Sequence, residues 1–333
     1  MNSDLEIYKN NAILNNLITY NQYCNKLYTS LLINIKNIQN SRLSNVNKQK
    51  QINSIINIYN SNINQLKKQL EINNLSIKNF TPKNIDINKN KNALLIGINY
   101  KGTVNELYGC INDTNDIKER LQQNRFNKIN LLTDLTEKKP TKENILEQFK
   151  NLLINSQSGD LLFFLFSGHG SNTFDKNGDE TDGNDEMIIA SDLQGIIDDE
   201  LKNLIQTYLK KDVTLVALFD SCFSGSVLDL KYQYLNSLNY DKYTENVKNL
   251  ETQGNVIMIS GCTDEQTSSD ALFNNKSNGA MTWSLLESLK YNPICSWREL
   301  IKLMRDKLKT SSFSQIPQIS SGTFIDIDNT VFI

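Results

Sequence analysis

The sequence predicts an α/β fold, a three-layer sandwich with a mainly parallel central sheet, preceded by an α-helical N-terminal extension. Three observations carry this expectation. From Asn92 onward, short apolar runs alternate with amphipathic segments, which implies parallel strands joined by crossover helices. Two of the runs, Asp160–Phe166 and Val213–Phe219, are apolar almost throughout and so read as strands buried on both faces. Residues 1 to about 90 instead contain no glycine and repeat apolar side chains at helical intervals.

In chain order, Leu27, Leu31, Ile35 and Ile38 share one helical face, as do Ile52, Ile55, Tyr59, Ile63, Leu66 and Leu70. The Asn40–Asn47 stretch breaks the pattern. One reading is a helical hairpin packed on itself or on the main domain. The other is a coiled-coil module that binds a helical partner or a second copy through residues 1–80. The seam is too short and irregular to fix an oligomer state. Thr81–Lys91 is polar and contains the first proline, Pro82, so it reads as a linker. The expected division is therefore a helical extension and linker over 1–90 and an α/β domain over 91–333.

Within that domain Ala93–Ile98 is a strand, Asn115–Leu121 a helix and Ile129–Leu132 a short strand. Thr141 has the side chain of an N-cap for a helix running to about Leu153. Met187–Ala190 is a short extended piece, and Asp198–Tyr208 is a helix ahead of the Val213–Phe219 strand. Lys231–Gln253 is polar, rich in tyrosine and lysine, and reads as an exposed loop between parts at 92–235 and 254–333. Asn255–Ser260 is another buried strand. Ala280–Leu289 and Ser296–Lys309 are helices, the second capped by Ser296. A last strand is expected at Thr323–Ile327.

Bulk properties exclude several classes. Over 333 residues the net charge is −2, which argues against nucleic acid or an anionic membrane as the main partner. No apolar run reaches the ~18 residues of a membrane span. Met1–Leu17 lacks the basic and then apolar pattern of a secretory signal. Five cysteines without regular spacing do not make a disulfide framework. A soluble, cytoplasmic protein is expected.

The chemistry gathers at two strand ends. Ser167-Gly168-His169-Gly170 follows one buried strand, and Asp220-Ser221-Cys222-Phe223-Ser224-Gly225 follows the other. His169 is the single histidine. Ligands of open α/β sheets bind at the carboxyl ends of strands. A cysteine there needs only a neighbouring imidazole to become a nucleophile. A Cys222–His169 dyad follows, with backbone N–H groups of Gly170 and Cys222 as an oxyanion hole. Zinc is disfavoured, because no paired Cys or His spacing exists. No organic cofactor is expected.

These motifs resemble those of the metacaspases, in the caspase-like clan of cysteine proteases, peptidase family C14. The resemblance extends to Ala93–Tyr100, Leu107–Asp113, Asp182–Glu186, Ile197–Leu201 and Ile259–Ser268, in collinear order over about residues 92–333. It implies a caspase-like fold and a thiol endopeptidase cutting protein or peptide substrates after Arg or Lys. The segment 1–90 lies outside it, and Phe223 departs from the His common after the nucleophile. The resemblance matches Cys110, Asp113, Ser167 and Asp220 to the S1 pocket, which holds the P1 side chain. The residues point the same way, since two carboxylates near a thiol suit a cationic P1 group and not an acidic one. Other readings are a helix N-cap for Asp113, a solvated strand-end acid for Asp220 and a core position for Cys110. Self-cleavage would fall after Lys231, Lys242 or Lys248 in the polar loop, or after Lys89 or Lys91 in the linker.

Further acids cluster in sequence at Asp182, Asp185, Asp198, Asp199 and Asp229. They read as solvated loop and helix-terminal carboxylates, or as a calcium site. The resemblance favours Ca2+ as an activator held by Asp185 or Asp182 with Asp198, Asp199 and Asp229. Asp175–Asp179 has a superficial EF-hand look, but its spacing fails. The rival to an enzyme is a non-catalytic scaffold or interaction protein of the same fold, recruited through the N-terminal helices. The presence of both His169 and Cys222 weighs against it.

Overall fold

The structure, a computed structural model, describes residues 2–79, 90–174, 184–222, 227–234, 243–261, 270–273, 276–292 and 295–328. The chain divides into two units, Met1–Ile87 with Leu289–Ile294, and Asn88–Ser288 with Cys295–Ile333.

In the first unit, helices α1 (Asn2–Gln39) and α2 (Asn45–Asn79) form an antiparallel hairpin. The break falls where Ser41 and Ser44 interrupt the apolar spacing, and Ser44 Oγ accepts from the Asn47 N–H at 3.4 Å. Cross-helix contacts run down the whole hairpin. Lys9 Nζ donates to the Lys78 carbonyl at 2.9 Å, Asn16 Nδ2 to Asn74 at 3.0 Å, and Tyr28 packs on Tyr59. The two apolar faces read from the sequence are the partly buried ones, while Leu32, Ile33, Ile58 and Ile72 are exposed.

The second unit follows the alternating pattern. Its elements are β1 (Lys91–Gly97), α3 (Cys110–Gln123), β2 (Lys128–Thr133), α4 (Lys142–Ile154), β3 (Leu161–Ser167), β4 (Gly170–Phe174), β5 (Asn184–Ile189) and β6 (Gly195–Ile197). There follow α5 (Asp198–Tyr208), β7 (Thr214–Asp220), β8 (Tyr232–Tyr234), β9 (Tyr243–Glu245) and β10 (Asn255–Ser260). The chain closes with β11 (Asp270–Phe273), β12 (Lys276–Gly279), α6 (Ala280–Tyr291), α7 (Trp297–Thr310) and β13 (Gln318–Ser321). The main sheet has the order β2-β1-β3-β7-β10-β13-β8-β9. Its first five strands are parallel and the last three antiparallel. Strands β4, β5 and β6 form a small separate sheet, and β11 pairs with β12. Thr141 and Ser296 cap α4 and α7 as expected, accepting from the Asn144 and Glu299 N–H groups.

The sequence reading needs three corrections. Part of Lys231–Gln253, expected to be a loop, supplies the edge strands β8 and β9, held by Tyr232, Tyr234 and Tyr243 against Phe324. The last strand lies at Gln318–Ser321, earlier than Thr323–Ile327, because Ile319 and not Phe324 points into the core. Helix α3 begins at Cys110, not Asn115. Among the lysines expected at a self-cleavage site, Lys91 opens β1 and Lys231 is ion-paired to Glu245 at 3.2 Å, while Lys248 is exposed. Lys89, Lys242 and the Asp175–Asp179 loop lie outside the described residues.

Apolar side chains of β1, β3 and β7 fill the core, with Leu95, Ile96, Phe164, Leu165 and Phe219 fully buried. Phe164 stands between Phe149 of α4, at 4.7 Å between ring centroids, and Phe219 of β7, at 5.5 Å. Truncating it opens a cavity that these rigid rings cannot fill. Phe164→Ala should therefore cost about 3–5 kcal/mol, read as a lowered urea midpoint with unchanged m-value.

Candidate active site

The site is built by strand register. On β1, β3 and β7, Gly97 pairs with Ser167 and Ser167 with Asp220, so three neighbouring strands end level. His169 and Cys222 each lie two residues past that line. The Gly168 N–H donates to the Asp220 carbonyl at 3.3 Å, which ties the two strand ends beyond the last register pair. Gly170 then packs on the Cys222 backbone so closely that a Cβ built there would overlap the Cys222 carbonyl oxygen. Glycine is required at 170 for this approach.

His169 is fixed from both sides. Its Nε2 lies 2.7 Å from the Asn105 carbonyl, an acceptor only, so Nε2 carries the proton and Nδ1 is the basic nitrogen of the neutral ring. Its backbone N–H donates to Tyr100 Oη at 2.9 Å, and that hydroxyl donates to the Ile189 carbonyl at 2.6 Å. The Tyr100 ring also lies 4.6 Å from the imidazole. Burial raises the Tyr100 pKa well above its ordinary value, so the phenol stays a donor. Tyr100 has φ 51°, a left-handed backbone that a bulky residue seldom adopts. The Ala93–Tyr100 motif contained it, but nothing in its spacing marked it as the support of the histidine.

Beneath this line lie two acids. Gly97 admits α3 against the end of β1, since a Cβ there would overlap the Cys110 carbonyl and sit 2.7 Å from the Thr114 methyl. That contact sets Asp113, in the first turn of α3, beside Ser167. Ser167 Oγ donates to Asp113 Oδ2 at 2.8 Å, and Asn278 Nδ2 and the Gly279 N–H donate to Oδ1, each at 3.0 Å. Asp220 Oδ2 accepts from the Thr282 N–H at 2.8 Å. The two carboxylates flank Gly279, whose built Cβ would overlap Asp220 Oδ2 and lie 2.8 Å from Asp113 Oδ2. Burial, and then the Asp220 charge, raise the Asp113 pKa well above the usual carboxylate range. Both other readings of these acids are overturned: the N-cap of α3 is Gly109, and Asp220 is 3% exposed. Cys110 is buried at the first position of α3, with its carbonyl against Gly97. Asn278, Gly279 and Thr282 had carried no sequence signal.

A second acidic group forms at the start of α5. Asp198, Asp199 and Asp229 place one carboxylate oxygen each within 4.8 Å of one another. Asp198 Oδ1 accepts from the Asp199 N–H at 2.7 Å, and Oδ2 from the Glu186 N–H at 3.1 Å. Burial, followed by Asp229, pushes the Asp198 pKa up to about 7, and Asp185 adds a smaller push in the same direction. Asp185, on β5, is buried; Asp182 lies outside the described residues. Asp229 has φ 44°, held in the left-handed region. Lys202 Nζ pairs with Asp229 Oδ2 at 3.2 Å and donates to Asn249 Oδ1 at 3.1 Å. These three acids come from two segments, without Asp185 among them, and hard oxygen donors of this kind are what Ca2+ takes.

The arrangement offers a half-buried thiol and an oriented imidazole just past neighbouring strand ends, with two buried acids at those ends. Among the described residues no helix is long and apolar enough to cross a membrane.

Comparison with known proteins points in one direction. The family model described as metacaspase, peptidase C14 domain, matches residues 91–231. Metacaspase-1A of Neurospora crassa is 36% identical over 72% of this chain and 64% of its own length. Metacaspase-1A of Aspergillus terreus is 37% identical over 72% of both chains. A Geobacter sulfurreducens protein known by crystal structure superposes with a TM-score of 0.54 at 26% identity, covering 71% of this chain and 95% of that one.

Thiol reactivity checks the site directly. Brief iodoacetamide treatment, mapped by mass spectrometry, should modify Cys222 about tenfold or more ahead of Cys24, which has no imidazole partner. Cys295, whose thiol burial pushes up to about 12, should react only on unfolding. Equal rates at Cys222 and Cys24 would contradict an activated thiol at 222.

Proposed function

The chain belongs to the metacaspases, the C14 family of cysteine-type endopeptidases, and from that premise we propose that it hydrolyses peptide bonds after Arg or Lys with Cys222 as nucleophile and His169 as its base. The observation that carries this reading is the level ending of β3 and β7, with His169 and Cys222 each two residues beyond. A scaffold protein has no need of a histidine whose tautomer is set by a carbonyl 2.7 Å away.

In this mechanism the Cys222 thiol proton passes to His169 Nδ1, and the sulfur bonds to the scissile carbonyl carbon. The imidazolium returns that proton to the leaving amine as the C–N bond breaks. A water molecule, deprotonated by the imidazole, cleaves the thioester and restores the thiol. The Asn105 carbonyl stabilises the transient imidazolium by accepting from Nε2. The Gly170 and Cys222 N–H groups serve the developing oxyanion. Asp113 and Asp220 attract the P1 cation, whose charge offsets the cost of holding two carboxylates out of water. Ser167 holds Asp113 in place, and Cys110 anchors the start of α3 behind it.

Calcium regulation belongs to the same proposal. The residues that would hold Ca2+ are Asp185, Asp198, Asp199 and Asp229. The ion would supply positive charge that removes the repulsion between these acids. Asp229 lies seven residues beyond Cys222, so its position is coupled to the segment carrying the nucleophile. The N-terminal hairpin, with apolar residues exposed on both helices, is proposed to bind a helical partner or a second copy.

Two measurements test this. Cys222→Ala and His169→Ala should each remove nearly all turnover of Arg- and Lys-P1 fluorogenic peptides, non-additively, because the two act as one unit. Asp220→Ala should lower kcat/KM by at least about a hundredfold, the scale of breaking a buried charge pair. A wild type that cuts Asp-P1 peptides equally well would overturn the specificity. Separately, calcium should raise both the melting temperature and the activity, and Asp198→Ala or Asp229→Ala should abolish both effects. Full activity in EGTA with no calcium-dependent melting shift would leave the cluster as helix-terminal acids.

A further inference from the structure

The Asp113 carboxylate is already saturated. Its Oδ1 accepts from Asn278 Nδ2 and the Gly279 N–H, and its Oδ2 from Ser167 Oγ at 2.8 Å and the same Gly279 N–H at 3.1 Å. These contacts occupy the roughly four acceptor positions that a carboxylate has. Asp113 is also 0% exposed. A P1 guanidinium or ammonium can therefore bond Asp113 only by taking the place of a donor now on it.

The three donors are not equally replaceable. Gly279 donates from its backbone one residue before α6, and it sits wedged between the two carboxylates. Ser167 is the last residue of a core strand and is 1% exposed. Asn278 donates from the end of a longer side chain than Ser167, with two rotatable bonds, reaching across from β12. It alone also has a second acceptor in place, since its Nδ2 lies 3.0 Å from Asp116 Oδ2 as well as from Asp113 Oδ1. Asp116 is one helical turn from Asp113 on α3, so both acids face the same carboxamide.

We propose that Asn278 is a specificity-determining residue that competes with the substrate: its carboxamide holds Asp113 in the empty pocket and yields to a cationic P1 side chain, keeping its bond to Asp116. The exchange is favourable only for a donor that binds a carboxylate more strongly than a neutral amide does. Either donor meets a carboxylate, but only a cationic side chain brings a full opposite charge to the Asp113–Asp220 pair, so Arg and Lys qualify. Asn278 touches no reacting atom, so its influence falls on binding and not on the chemical step. This inference rests on the basic P1 preference proposed above.

The test is steady-state kinetics of full-length protein with Arg- and Lys-P1 peptides. Asn278→Ala removes the competitor and should lower KM about tenfold with kcat unchanged, the scale of one hydrogen bond to a charged acceptor. Asp116→Ala, at a partly exposed position on α3, leaves Asn278 with Asp113 only and should raise KM about threefold. An Asn278→Ala protein of native melting temperature whose KM is unchanged or higher overturns the proposal. Should that variant fail to fold, an unchanged or lower KM in Asp116→Ala overturns it instead. A wild type without preference for Arg or Lys would instead refute the specificity reading beneath it, which is a distinguishable result.

Discussion

The parallel pairing of Leu161–Ser167 with Thr214–Asp220 is the constraint on which the candidate site depends. A slip of one residue would turn every side chain of a strand to the opposite face. It would also move the His169 and Cys222 turns out of line. Register is held here by burial on both faces, with Phe163, Phe164, Leu165 and Phe166 meeting Val216, Ala217, Leu218 and Phe219. The chemistry proposed for two exposed turns is thus secured by side chains that never meet substrate. Gly97 extends the same alignment to a third strand and lets α3 deliver Asp113 to it.

Burial of like charges is the second theme. Asp113 with Asp220, and Asp198 with Asp229, each place carboxylates close together away from water, which the fold tolerates by different means. The first pair is met by neutral donors: Ser167, Asn278 and the N–H groups of Gly279 and Thr282. In the second, Asp198 sits in the first turn of α5, where the helix dipole favours negative charge, and Lys202 pairs a full cation with Asp229. Burial first, and the neighbouring acid second, still raise the pKa values of Asp113 and Asp198. Both places are therefore energetically prepared for a cation, one a substrate side chain and the other an ion in the proposed reading.

How much of this was legible in the sequence follows from where each signal resides. Strands buried on both faces announce themselves, because every residue must be apolar, and β1, β3, β7 and β10 were read within two residues. The edge strands β8 and β9 were not, since their tyrosines gain a reason to be extended only from Phe324, about 80 residues away. Strand β13 was misplaced for a related cause: two apolar pairs compete, and only the pairing with β10 decides between them. His169, Cys222, Asp113 and Asp220 stood out as reactive types at strand or helix ends. Tyr100 and Asn278 did not, because their roles are contacts made across 69 and 165 positions of chain.

In the proposed reading, chemistry and selectivity are carried by different parts of the framework. His169 and Cys222 lie on turns past the strand ends, braced by Tyr100, the Asn105 carbonyl and the Gly170 contact. Asp113, Ser167 and Asp220 lie at or below those ends and are buried. Motion of the turns would reposition the proposed dyad without disturbing the floor of the pocket. Rearrangement of β12 would alter the floor without moving His169. In the proposed reading, a cation at Asp229 acts on the segment carrying the nucleophile, whereas a substrate cation acts through Asp113 and its donors.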